Sequence, residues 1–332
     1  MNVAIVKLSA LGDVVHALPV ASAIRAARPD ARITWVVEAR QAPVLREHPA
    51  IADVAIVDTR RWRRARTPRR ISAALRGVSA MRRGLRARRF DVAIDAQGNL
   101  KSGVLTAMTG APLRIGFAAA RCRERANALF TNRRVMPPAA AQHVVDQYLA
   151  LLTPLGLTPP ARGEFHLPWN GAAEAAVDEA FGAAGLKSRD RLVVLNPGAA
   201  RPDKRWVPER FRALAERIGR DGLGRVLVVW GPDELAVARA IGAGGAAVLA
   251  PPTDLDGLIA VLRRASVLVA GDTGPLHLAA ALGVPCVGLF GPTSAVRNGP
   301  YGAGHRTLQA PDGRLASIDV AAVSHAVAEI LA

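Results

Sequence analysis

Residues 266–293, SVLVAGDTGPLHLAAALGVPCVGLFGPT, leave the chain little choice of local fold. Two apolar runs, Val267 to Ala270 and Val284 to Phe290, read as buried strands, with a tight turn and a short helix between them. The turn is Gly271-Asp272-Thr273-Gly274, and Pro275 follows in the first helical turn, where a missing N–H costs nothing. Either Asp272 or Thr273 can cap that helix through a side-chain oxygen. A helix that begins at the C-terminal end of a parallel strand offers its first N–H groups to an anion, phosphate above all. Two glycines, an acid, a hydroxyl and a histidine (His277) stand within seven residues, which is denser than a cap requires. An anion or sugar-phosphate site is expected there; the plain alternative is a capping aspartate and a half-buried histidine.

The same grammar runs through the whole chain. Short apolar runs at Val3–Val6, Ile33–Val37, Val54–Val57, Val92–Ile94 and Leu113–Phe117 alternate with helical patterns near 13–28, 40–47 and 71–89. This alternation is that of βαβ units around a parallel sheet. The third helix carries Ile71, Leu75, Val78, Met81 and Leu85 as an apolar stripe, with Arg76, Arg82, Arg83 and Arg86 off it. It reads as a sheet-covering helix with a basic outer face rather than a membrane-surface helix. A helix is expected near 141–156, and then 157–170, with three prolines, reads as an interdomain linker. The alternation restarts with strands at Leu192–Leu195, Val226–Trp230 and Ala246–Leu249 before the opening stretch, and ends in a helix from Ile318 to Leu331. The fold class is therefore α/β: two Rossmann-like domains with a ligand cleft between them, divided at 1–160 and 161–332. The last helix is free to pack back on the first domain.

Charge narrows the function. The 332 residues carry a formal net charge of +17, concentrated in residues 58–134, with 20 Lys plus Arg against 4 Asp plus Glu. Such a patch suits an acidic partner: nucleic acid, an anionic lipid surface or a phosphorylated substrate. Nucleic acid is disfavoured, because only 14 aromatics occur in the chain and no base-stacking module is recognisable. The N-terminus has no signal-peptide pattern, and no stretch approaches the length of a bilayer span. Cys122 and Cys286 lack metal or disulfide spacing and read as reduced thiols of a cytosolic protein.

Four further loops carry chemistry-bearing residues. KLSALGDVVH (residues 7–16) leaves the first strand and opens the first helix; Asp13 is either a candidate general base or an N-cap. It is neither a GxGxxG fingerprint nor a Walker A loop. NPGAARPDKRW (196–206) places Gly198 where a ligand can approach the backbone, with Lys204 and Arg205 able to neutralise a diphosphate. WGPDE (230–234) ends another strand and offers a carboxylate to a sugar hydroxyl. The three second-half loops all lie at strand C-termini and should converge on one ligand. Residues 60–64, RRWRR, are a basic loop suited to phosphates or carboxylates.

Taken together, IVKLSALGDVVHALP, RRWRR, RCRERANALFTNRR, NPGAARPDKRW, WGPDE and GDTGPLHLAAALGVPCVGLFGPT resemble the bacterial lipopolysaccharide heptosyltransferases, glycosyltransferase family 9, in order and spacing over most of the chain. The likeness is greatest to the branch that adds the first heptose. It implies the GT-B architecture, with the acceptor held by the N-terminal domain and the nucleotide sugar mainly by the C-terminal one. It further implies metal-independent, inverting transfer of L-glycero-D-manno-heptose from ADP-heptose to Kdo of Kdo2-lipid A, with no cofactor. Such an enzyme works in the cytoplasm, peripheral to the anionic inner leaflet. By this resemblance Asp13 is the catalytic base and Lys204 the diphosphate-binding lysine. The same carry-over makes Gly198, Ala199, Ala200, Glu234, Asp272, Thr273, Gly274 and His277 the donor site, and Arg60, Arg61 and Arg63 acceptor contacts. Ala199 and Ala200 stand where that branch often has two threonines, leaving the diphosphate to backbone N–H groups. The remaining alternatives are a sibling transferase adding a later core sugar, a nucleotide-sugar epimerase, a nucleic-acid binder and a catalytically silent sugar-binding partner.

Overall fold

The structure, a computed structural model, describes residues 1–59 and 68–332. Residues 60–67, and with them Arg60, Arg61 and Arg63, lie outside the described residues, as do the side chains of residues 68–71 and 74. The chain divides into two compact units, Met1–Pro168 and Trp169–Ala332, so the division falls inside the proline-rich stretch.

In unit 1, strands β1 (Asn2–Val6), β2 (Arg32–Glu38), β3 (Ile51–Val57), β4 (Val92–Asp95), β5 (Leu113–Phe117) and β6 (Arg133–Val135) form one parallel sheet. Its order is β3-β2-β1-β4-β5-β6. The crossovers include helices α1 (Leu11–Ala27), α2 (Pro68–Ala87) and α3 (Leu100–Met108), and α4 (Val144–Leu149) packs against α1. The strands are apolar because both faces are covered: every residue from Val3 to Val6 is fully buried.

Unit 2 repeats the design. Strands β7 (Leu192–Asn196), β8 (Arg225–Val228), β9 (Val248–Leu249), β10 (Val267–Gly271), β11 (Cys286–Phe290) and β12 (Arg306–Gln309) pair in parallel in the order β12-β11-β10-β7-β8-β9. Around them lie α5 (Gly171–Ala183), α6 (Pro208–Arg220), α7 (Leu235–Gly242), α8 (Leu255–Arg263), α9 (Gly274–Ala281), α10 (Ala295–Asn298) and α11 (Val320–Leu331). The last of these packs on the sheet of its own unit through Val323, Ala326 and Val327. Trp206 fills the same core, and its indole N–H donates to the Ile318 carbonyl at 3.1 Å.

Several elements depart from the periodicity reading. The helix expected at 40–47 is a 3-10 turn, Ala39–Leu45, interrupted by Pro43. The helix expected at 141–156 is α4 followed by a 3-10 turn, Ala150–Leu155. Elements without a sequence forecast include α3, the short strand β6, the short helix α10 and the edge strand β12. The stripe on α2 is only half used: Leu85 is fully buried and Met81 packs on the core, whereas Leu75 is 65% exposed.

Candidate active site

Both sheets reverse their strand order once, between β1 and β4 in unit 1 and between β7 and β10 in unit 2. The loops leaving adjacent strands on either side of a reversal diverge to opposite faces and open a crevice at the strand C-termini, where open α/β sheets bind ligands. The sequence-derived loops around Asp13, Gly198 and Asp272 leave three of these four strands, β1, β7 and β10.

In unit 1 the loop after β1 is held by the loop after β4. Gln97 Oε1 accepts from the Leu8 and Ser9 N–H groups at 3.0 and 3.2 Å. Asp95, fully buried, shapes that second loop by accepting from the Gln97 and Gly98 N–H groups at 2.9 and 3.0 Å, and from Ser102 Oγ and Asn127 Nδ2 at 2.9 and 2.7 Å. Burial raises the Asp95 carboxyl above its usual range against the pull of these four bonds. Asp13 is the third residue of α1, and the cap position belongs to Ala10. The N-cap alternative is thereby corrected: Asp13 reaches back to the Ala10 N–H at 3.1 Å and its side chain stays 43% exposed. One oxygen is fixed while the carboxylate faces outward, as a base must be to meet a substrate hydroxyl.

Lys7 opens the KLSALGDVVH stretch and has no role assigned to it from sequence. It is 2% exposed, and its ammonium lies 3.9 Å from Asp13 Oδ1. A second polar cluster had no sequence signal, because its members are far apart in the chain. Thr59 Oγ1 donates to Glu38 Oε1, and Lys101 Nζ donates to Glu38 Oε1 at 3.1 Å and to Thr59 Oγ1 at 2.9 Å. The cluster sits at the ends of β2 and β3, next to the RRWRR segment in sequence.

In unit 2 three loops meet. Asn196 Nδ2 donates to the Gly198 carbonyl at 3.1 Å and to Thr273 Oγ1 at 3.2 Å, joining the loop after β7 to the turn after β10. Lys204 Nζ pairs with Asp272 Oδ2 at 2.6 Å, and His277 Nε2 lies 3.1 Å from Asp272 Oδ1. Burial opposes the Asp272 charge, but His277 and Lys204 together hold its carboxyl well below the usual range. Glu234 Oε2 accepts from the Gly231 N–H at 2.8 Å, and its carboxylate covers the backbone of Gly198, where an added Cβ would overlap it. Gly198 thus lets the Glu234 carboxylate lie against this backbone. Ala199 is buried, Ala200 is exposed, and Arg205 Nε donates to the Ala199 carbonyl at 2.8 Å.

The turn before α9 differs from the capping expectation. Thr273 holds the N-cap position without a side-chain cap bond, since its hydroxyl donates to the Gly271 carbonyl at 3.2 Å. The Asp272 carboxylate is committed to Lys204 and His277. The first amides of α9 are therefore left without a side-chain cap, the arrangement that suits an incoming phosphate. Among the described residues no group of three or more His, Cys, Asp or Glu side chains is placed to hold a metal ion, and no helix is long and apolar enough to cross a membrane.

The comparisons with known proteins agree with this geometry. The chain is 32% identical over 333 residues to lipopolysaccharide heptosyltransferase 1 of Escherichia coli O18:K1:H7, covering 99% of this chain and 98% of that protein. Among solved structures it is similar to E. coli heptosyltransferase WaaC with ADP, at a TM-score of 0.82, 30% identity, and coverage of 99% of this chain and 100% of that one. It is also similar to WaaC with ADP-2-deoxy-2-fluoro heptose, at a TM-score of 0.80, 30% identity and 99% coverage of both chains. The family model described as glycosyltransferase family 9 (heptosyltransferase) matches residues 78–320. With sequence likeness over nearly the whole length, the same fold and ligand loops at both switch points, the chain belongs to glycosyltransferase family 9, the heptosyltransferases.

Proposed function

We propose that the protein transfers L-glycero-D-manno-heptose from ADP-heptose to the Kdo of Kdo2-lipid A, with inversion and without a metal ion, in building the lipopolysaccharide inner core. The observation that carries the donor half is the convergence of Gly198, Lys204, Glu234, Asp272 and His277 beside the uncapped start of α9. That E. coli WaaC has been solved with ADP and with a fluorinated ADP-heptose supports a nucleotide heptose as donor. The lipid acceptor is supported by the relatives' lipopolysaccharide name and by the basic balance of residues 58–134.

In this reading Asp13 takes the proton from the attacking hydroxyl as that oxygen bonds to the anomeric carbon and the ADP oxygen departs. Lys204 and the first amides of α9 stabilise charge developing on the diphosphate, doing the work a divalent ion does elsewhere. Asp272, held by Lys204 and His277, receives the heptose hydroxyls. Arg60, Arg61 and Arg63 contact the anionic acceptor, and exposed Arg121, Arg123 and Arg125 add charge facing the cytoplasmic leaflet.

The test is ADP release from ADP-heptose with Kdo2-lipid A, with an already heptosylated core acceptor, or with neither. Release only with Kdo2-lipid A is expected, undiminished in excess EDTA. Release only with the heptosylated core would move the enzyme one step later, and EDTA sensitivity would overturn the leaving-group account. Asp13→Asn should lower turnover by about two orders of magnitude or more while donor binding persists.

A further inference from the structure

Lys7 is an ammonium placed where a charge is expensive. Its Nζ donates to the Ala96 carbonyl at 3.0 Å and to the Tyr148 hydroxyl at 2.6 Å, and lies 4.4 Å from the centroid of the Tyr148 ring. Desolvating a cation is unfavourable unless fixed partners replace the lost water. Here burial works against the charge, yet Tyr148, Asp13 and Asp95 hold the ammonium above its ordinary value.

A purely structural role would be to tie the loop after β1 to the loop after β4. That tie already exists without Lys7, through Gln97 Oε1 and the Leu8 and Ser9 N–H groups, and through the parallel β1–β4 ladder. What Lys7 alone supplies is a fixed positive charge behind Asp13, whose Oδ2 is held by the Ala10 N–H and whose Oδ1 faces the ammonium at 3.9 Å. The two carboxylate oxygens are thus addressed from the protein side by different partners, Ala10 and Lys7, both in the loop between β1 and α1.

We propose that Lys7 is a positioning residue for the Asp13 carboxylate: its ammonium, located by the Tyr148 hydroxyl and the Ala96 carbonyl, limits the carboxylate to one orientation toward the acceptor hydroxyl. The proposal rests on the reading of Asp13 as the base. Tyr148, on α4, becomes part of the same arrangement although it lies 141 residues from Lys7. A small angular error in a base is costly, since misplacement by about 1 Å can lower a rate about 100-fold.

The experiment compares Lys7→Met and Tyr148→Phe, each alone and with Asp13→Asn, in the full-length protein. Turnover with Kdo2-lipid A, KM for ADP-heptose, calorimetric ADP-heptose binding and thermal melting are measured. Lys7→Met is expected to lower kcat about 10- to 100-fold and Tyr148→Phe about 3- to 10-fold, with ADP-heptose binding unchanged. Both losses should vanish in the Asp13→Asn background, because a group that acts through the carboxylate has nothing left to orient. Folded Lys7→Met with normal kcat, or losses that multiply with Asp13→Asn, would overturn the proposal. If Lys7→Met does not fold, Tyr148→Phe decides: it keeps the ring and the ammonium, and normal kcat in it would equally overturn the idea. Near-normal turnover in Asp13→Asn alone would show instead that the base reading failed, and the proposal would fall with it.

Discussion

At the scale of single residues, the second unit is dominated by one buried carboxylate. The Asp272 side chain is 10% exposed and depends on Lys204, 19% exposed, and on His277 for compensation. Removing one partner of such a pair costs more than removing both, because a lone buried charge remains. Lys204→Met is therefore expected to lose about 2–4 kcal/mol of stability as well as ADP-heptose affinity. Adding Asp272→Asn should restore the melting temperature without restoring ADP release, and thermal melts beside the release assay check this. The pH dependence has a definite sign. A depressed carboxyl contributes stability that is complete above its unfolded value, about 3.9, and is lost as pH falls through the lower folded value. The advantage of wild type over Asp272→Asn should accordingly hold at neutral pH and shrink below about pH 4. Asp272, Lys204 and Asp13 were legible as residues because each sits in a turn between an apolar run and a helix. Lys7 was not, since nothing in IVKLS distinguishes a buried lysine from one at a strand's exposed end.

At the scale of elements, what matters is which backbone segments are allowed to touch. The loop after β7 passes so close to the start of α7 that a Cβ at Gly198 would overlap the Glu234 carboxylate. The obstacle is a flexible side chain, so Gly198→Ala should change the melting temperature little. It should pull Glu234 off the Gly231 N–H and weaken ADP-heptose binding by about tenfold, a loss of about 1.4 kcal/mol, which calorimetry can measure. The long crossovers were readable from apolar spacing, and the exceptions have physical causes. Pro43 prevents a regular helix after β2. Helix α3 was overlooked because its start is defined by a local cap, with Asn99 Oδ1 accepting from the Ser102 N–H at 2.9 Å, in a segment without a clear stripe. Strand β12, RTLQ, pairs only with β11 among the described residues, so an edge position leaves it polar and silent to hydropathy. On α2 the expected stripe continues past the part that has a core to meet, which is why Leu75 is exposed.

At the scale of the whole molecule, the proline-rich stretch is less a free linker than the periodicity reading implied. His166 lies within it, yet its ring packs edge-on against His48, 5.4 Å between centroids, both in unit 1. Burial, and then the charge of His166, lowers the His48 pKa to about 4. Because that value is below the unfolded one near 6.5, the unfolded chain binds more protons between the two, and stability must fall as pH drops from about 6.5 to about 4. His48→Asn should flatten this dependence, seen as urea midpoints of unit 1 that no longer move between about pH 7 and pH 4.5.

The sequence by itself determined the α/β class, two successive units, the parallel strands and the loops that carry the candidate donor-site residues. These follow from short-range rules: apolar runs that must be buried on both faces, helical spacing, and glycines or prolines where the backbone turns. Tertiary structure alone decided which of those loops share a crevice, because strand order is set by contacts between β1 and β4, and between β7 and β10, 70 to 90 residues apart. It alone put Lys7 behind Asp13, Glu234 over Gly198, and Asp272 between Lys204 and His277. Whether a side chain is buried, paired or open to a ligand depends on partners that no local pattern specifies.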